Sequence, residues 1–174
     1  MMSKCKFQRG LLLLDLAFLA WGFAGEARAG EKKEPKAEYM VPACKPALAN
    51  LALAQEFKSQ EKFGQAIGEF KKALKIAPKC DVAWNDLGVT SSWDGKTDEA
   101  ITAYETAIKL NPNVAVIWIN YGDVLSEKGG KTGEKKWYQK ALDAYQKSLS
   151  LNPQEDMGNH AKEEIQEIKK KSLK

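Results

Sequence analysis

Arginine is confined to the start of this 174-residue chain, at Arg9 and Arg28; beyond them every basic side chain is lysine except for His160. Arginine is the usual donor for bidentate contacts to phosphates and base edges. Its absence from most of the chain, with acids interspersed throughout, argues against nucleic acid as a partner. Histidine is nearly missing too. His160 stands alone, with no serine or cysteine nucleophile in a recognisable frame beside it. The three cysteines are Cys5, Cys44 and Cys80. They form no C-x-x-C-H haem attachment; Cys5 belongs to the N-terminal segment expected to be removed, and Cys44 and Cys80 with the distant His160 do not make a four-ligand zinc set. GGKTGEKK lacks the order of a phosphate-cradling loop. Asp94, Asp98 and Glu99 suit a turn and a helix start better than a cation site. No catalytic constellation assembles, so the expectation is a protein that is not an enzyme and carries no cofactor and no metal.

Long apolar runs are also missing, with one exception. MMSKCKFQR carries Lys4, Lys6 and Arg9 without an acid; LLLLDLAFLAWGFAG follows, about 15 residues of mostly apolar sequence, and then Ala27, Arg28 and Ala29. Basic, apolar and small-residue regions in that order read as a secretory signal peptide over 1–29, with cleavage expected after Ala29. A retained membrane anchor is the alternative, although the run is short of the ~20 residues that a spanning helix needs and is interrupted by Asp15. The expected location is periplasmic or secreted, with no membrane attachment after cleavage. Cleavage leaves 23 bases and 21 acids, a net charge of +2. Residues 30–46 begin with GEKKEPKAE and read as a charged tether.

From Lys45 onward no strand-like alternation recurs, and apolar residues fall at helical spacing, so the class is all-α. EFKKALKIAP (69–78), AYETAIKLNP (103–112) and AYQKSLSLNP (144–153) share one frame: an aromatic, then Ala or Ser three residues on, then an apolar residue before proline. Pro78 and Pro112, Trp84 and Trp118, and Ala66 and Ala100 are each 34 residues apart.

DVAWNDLGVTSSWDGKTDEAITAYETAIKLNP therefore resembles a tetratricopeptide repeat, the 34-residue helix–turn–helix unit. The family pattern falls on Trp84, Leu87, Gly88, Ala100, Tyr104, Ala107 and Pro112. Repeat one, 47–80, matches at Ala54, Phe57, Ala66, Phe70, Ala73 and Pro78, but has Asn50 at the tryptophan position and Glu61 at the turn glycine. Repeat two is 81–114. Repeat three, 115–155, matches at Trp118, Tyr121, Gly122, Ala141, Tyr145, Ser148 and Pro153, and is seven residues too long. The resemblance implies an all-α tetratricopeptide-repeat solenoid of three repeats plus a capping helix over 156–174. In that cap, Met157, Ala161, Ile165 and Ile168 form one apolar stripe.

Small residues at Ala54, Gly88 and Gly122 allow close helix approach, and added bulk there costs roughly 1–3 kcal/mol. The extra seven residues lie between Gly129 and Ala141. The expectation is a glycine-rich turn at 129–133 followed by a lengthened second helix. Trp137 on that extension serves either as core-edge packing or as a protruding contact. The antiparallel hairpin of repeat one brings its two ends together, and with them Cys44 and Cys80. Export permits a disulfide there; two unpaired thiols are the alternative.

The resemblance also implies a concave groove lined by the first helix of each repeat, and a protein or peptide partner in it. Carried over by position, its candidates are Leu48, Leu51, Gln55, Lys58 and Ser59 in repeat one. Repeat two offers Val82, Asn85, Val89, Ser92 and Trp93; repeat three offers Val116, Ile119, Asp123, Ser126 and Glu127. The basic clamp that some relatives use for acidic C-terminal tails is not evident, because Leu51, Val116 and Asn120 stand where it would want Lys, Lys and Arg. Such a groove suits an extended or helical peptide with apolar side chains. The expected role is a non-catalytic adaptor or assembly factor. A chaperone-like accessory subunit in envelope biogenesis and a self-associating scaffold are the alternatives. Trp93 stays open between ligand contact and packing in place of the bulk lost at Ser91.

Overall fold

The computed structural model describes residues 41–153 and 156–172. The predicted signal peptide, most of the tether, and the very C-terminus lie outside the described residues. Among the described residues seven α-helices follow one another: α1 (Leu48–Ser59), α2 (Phe63–Ile76), α3 (Asp81–Trp93), α4 (Thr97–Leu110), α5 (Ala115–Thr132), α6 (Lys135–Leu151) and α7 (Asp156–Ser172). Among the described residues there is no strand. Each helix packs on the next, which makes three hairpins and a terminal helix on α6 and α5. The predicted tether boundary at 46 falls inside folded chain, since Lys45–Ala47 form a 3-10 turn and Cys44 and Ala47 are buried.

Proline ends the second helix of each hairpin. The residue before it is extended, with φ −127° at Ala77, −144° at Asn111 and −145° at Asn152. The proline ring disfavours helical geometry at the preceding position. The indole nitrogen of Trp84 donates to the Pro78 carbonyl at 2.9 Å, and that of Trp118 to the Pro112 carbonyl at 2.7 Å. The 34-residue tryptophan and proline periods are thus two ends of one hydrogen bond. Trp84 also packs against both hydrophobic clusters of the core, one built on the first hairpin and one on the third hairpin and α7.

Helix crossings depend on missing side chains. A Cβ on Gly88 would lie 2.7 Å from the Tyr104 ring, and one on Gly122 would lie 2.6 Å from the Tyr145 ring. The third hairpin repeats this contact higher up, where a Cβ on Gly129 would lie 3.1 Å from the Tyr138 ring. The pairs are related by seven residues forward on α5 and seven back on α6, as antiparallel helices require.

That second contact corrects the expected glycine-rich turn at 129–133. Residues Gly129 and Gly130 are helical, and the turn is at 133–134, where Gly133 is left-handed with φ +70°. The extra length is divided: α5 has 18 residues against 13 in α3, and α6 has 17 against 14 in α4. Lengthening one helix alone would leave its added turns without a partner, so both grow together. Trp137 sits in the first turn of α6, half-buried against the third hairpin's core. Lys128 Nζ lies 4.0 Å from its ring centroid, and its indole donates to Glu134 at 3.2 Å.

In the first hairpin Cys44 and Cys80 are both buried and their sulfurs are bonded, with the Cα atoms 4.8 Å apart.

Candidate peptide-binding face

The first helices of the hairpins, α1, α3 and α5, present the positions where a groove is expected. Polar side chains there are joined in a series of cross-helix contacts. Gln55 and Lys58 on α1 both donate to the Asp86 carboxylate on α3, at 2.8 and 2.9 Å. Asn120 on α5 donates to Asn85 on α3 at 3.1 Å. Asp123 on α5 accepts the Tyr145 hydroxyl at 2.8 Å and faces His160 Nε2 on α7 at 3.0 Å. Successive first helices, and α7 after them, are thus linked in the same way. Among the described residues no buried side-chain nitrogen or oxygen lacks a partner.

Two of the eight principal candidates are corrected. Leu51 is 0% and Ile119 5% exposed, so both belong to the core and not to an open surface. Their position borders groove and interior. An apolar side chain there gains by burial, whereas Asn85 at the same position stays half-buried and bonds across. Leu48 and Val89 are half-buried and pack against the first and second clusters. Gln55, Asn85 and Asp123 are engaged in the contacts above.

Trp93 differs from all of these. It ends α3 and is 58% exposed, so it does not swing in to replace the bulk lost at Ser91. Its ring meets Phe63 of α2 edge-on, with centroids 5.7 Å apart, and Lys58 Nζ stands 5.4 Å from its centroid. Lys58 therefore serves two groups, with its charge held by Asp86 and its ammonium near the indole. Cation–π attraction of this kind restrains the ring without covering it. Val116, in the first turn of α5, is also exposed. The result is an aromatic platform beside a polar, hydrogen-bonded floor.

Position counting missed Asp86, Phe63 and His160. Asp86 carried a signal, as a carboxylate between Asn85 and Leu87 on a helix otherwise rich in buried positions. Phe63 carried none, because its contact with Trp93 joins two hairpins 30 residues apart.

Known proteins bear on this arrangement in two ways. Residues 47–80 match a family model described as tetratricopeptide repeat, and residues 94–129 match one described as TPR repeat. The second match begins in the turn before α4 and ends within α5, spanning the junction of two hairpins. No curated protein matches the sequence. Among solved structures, the chain is similar to the first TPR of Spaghetti (RPAP3) bound to an HSP90 peptide, SRMEEVD: TM-score 0.65, 18% identity, covering 75% of this chain and 96% of that one. It is similar to the Arabidopsis OM64 TPR domain: TM-score 0.62, 10% identity, covering 72% and 98%. It also resembles YrrB, a TPR protein with an unusual peptide-binding site: TM-score 0.59, 20% identity, covering 67% of this chain and 57% of that one. Two stretches of the chain thus match tetratricopeptide-repeat models, and its fold is that of a tetratricopeptide-repeat solenoid.

Proposed function

We propose that this chain is a non-catalytic protein-interaction module, exported by its N-terminal segment, that holds an extended or helical peptide along α1, α3 and α5. The observation that carries the reading is Trp93. Trp84 and Trp118 are fixed by indole hydrogen bonds to proline carbonyls, whereas Trp93 keeps most of its surface open. Exposed aromatics set on a rigid element are typical anchors of protein interfaces. Peptide binding in solved proteins of this fold supports the same reading. The hydrogen-bonded floor holds the helices at fixed spacing, so a ligand would not have to order the groove on arrival.

The acidic-tail clamp finds no support. Leu51 is buried, and Asn120 is committed to Asn85. A partner with apolar side chains suits Trp93, Phe63 and Val116 better.

The test is crosslinking capture from the native envelope, comparing wild type with Trp93→Ala, Asn85→Lys and Val89→Glu. Loss of a specific partner with retained helicity is the expected result; undiminished capture in all three rejects this face as the site. Light scattering on the same variants separates self-association from binding to a different protein.

A further inference from the structure

An open cavity of about 430 Å³ lies on the other side of α3, between the first two hairpins. Leu74, Trp84 and Leu87 form its floor, and Lys71, Lys75 and Glu99 stand at its rim. Its volume is within the range of small-ligand pockets. The next junction, between the second and third hairpins, is built from the same repeat positions. There Trp118 takes the place of Trp84, and Tyr121 takes the place of Leu87, each 34 residues on. The Tyr121 ring lies 6.5 Å from the rings of Trp118 and Tyr104, and its hydroxyl donates to Glu105 at 2.9 Å. Glu105 is itself the 34-residue counterpart of Lys71. The cavity therefore sits where the next junction holds a tyrosine ring, and the rim position that meets the ring's polar end there as a carboxylate is an ammonium here.

We infer that this cavity binds an aromatic side chain of a partner protein, presented beside an acidic group. Tyr121 shows what the site accommodates, because the same repeat geometry holds a phenol ring one junction away. The charge change shows what flanks it. Lys71 is paired with Glu99 at 3.0 Å, but Lys75 has no ion pair among the described residues. An incoming carboxylate meets two ammonium groups and one acid, a favourable balance. The site is independent of the face carrying Trp93, since it uses the opposite side of α3 and the second helices α2 and α4.

The test is NMR titration of the full exported chain with the peptide acetyl-Glu-Tyr-Glu-amide, with acetyl-Glu-Leu-Glu-amide as control. The tyrosine peptide is expected to shift the amides of Leu74 and Leu87 and the Trp84 indole, and the leucine peptide to bind at least several-fold more weakly. Leu87→Tyr, which restores the ring of the next junction, is expected to abolish the shifts. Lys71→Gln with Lys75→Gln, both at exposed positions, is expected to weaken binding several-fold without unfolding. Trp93→Ala is expected to leave this titration unchanged, which separates the inference from the proposed groove. Absence of shifts at these residues at millimolar peptide, or equal binding by the Leu87→Tyr protein, overturns it. Binding that emerges only after Tyr39→Ser would assign the cavity to the chain's own N-terminal segment and also overturn it.

Discussion

The first and second hairpins share one backbone plan and are held by different chemistry. In the second, a tryptophan at the start (Trp84), a glycine at the crossing (Gly88) and a glycine in the turn (Gly95, φ +74°) match the repeat pattern. In the first, Asn50 stands at the tryptophan position and donates to Glu69 at 3.0 Å, while Glu69 accepts from Lys72 at 2.7 Å. Ala54 replaces the crossing glycine opposite Phe70, and Glu61 takes the turn with φ +57°. The Cys44–Cys80 link closes that hairpin only. The difference teaches that the fold needs a closed hairpin end and a compatible crossing, and not one particular set of residues.

Breaking the link is the most damaging way to separate the two hairpins. Reduction, or Cys44→Ala with Cys80→Ala, is expected to cost about 4 kcal/mol on the chain-entropy account of a closed loop. Urea unfolding with and without reductant measures the loss. Hydrogen exchange is expected to place it in α1 and α2 before α3 and α4. Equal loss of protection across all hairpins would deny the first hairpin its separate stabiliser.

The crossing comes next. Gly88→Ala puts a Cβ into the Tyr104 ring and is expected to cost about 1–3 kcal/mol in chemical denaturation. Gly68→Ala, inside α2 where a Cβ meets nothing within 4 Å, is expected to stabilise by about 0.5–1 kcal/mol through helix propensity alone.

The turns predict a smaller, oppositely signed pair. Glu61 holds a left-handed conformation that a side chain adopts at a cost of about 1–2 kcal/mol. Glu61→Gly is expected to raise stability by about 1 kcal/mol, and Gly95→Ala to lower it by about as much. Two thermal melts decide the point; stabilisation by neither glycine would remove the strain argument.

The pH limits divide the hairpins by sign. Burial raises the phenols of Tyr104, Tyr121 and Tyr145 above the ordinary value of 10, helped by nearby carboxylates. Above pH about 10 the unfolded chain releases these protons while the folded second and third hairpins keep them, so stability falls as pH rises further. Phe70 stands at the corresponding place in the first hairpin and contributes no such loss. There Glu69 is held below its ordinary 4.5, first by the Lys72 hydrogen bond and then by Asn50. Its contribution is present above the unfolded value and fades as pH falls through the lower folded one. Glu69→Gln is expected to flatten the acid side, and Tyr121→Phe the alkaline side.

Much of this was legible in the sequence because it is periodic. The 34-residue spacing of tryptophan and proline defines the hairpin plan, and the glycines at 88 and 122 mark the crossings. The division of the insertion between α5 and α6 was not legible. Glycines at 129 and 130 look like a turn in isolation, and only Tyr138 facing Gly129 shows that they are another crossing. The candidate face was half legible. Counting positions finds Trp93, but cannot tell that Leu51 and Ile119 turn into the core while Asn85 stays half-buried. Side-chain polarity at a border position decides that, together with partners on other helices.

The division between Trp84 and Trp93, nine residues apart on one helix, carries the central claim. Thermal melting and crosslinking capture on Trp84→Ala and Trp93→Ala test it together. Trp84→Ala removes a bridge between two core clusters and is expected to cost about 3 kcal/mol. Trp93→Ala is expected to move the Tm by no more than about 3 °C while abolishing partner capture. A Trp93→Ala protein that melts as early as Trp84→Ala, or captures its partner undiminished, would contradict the account.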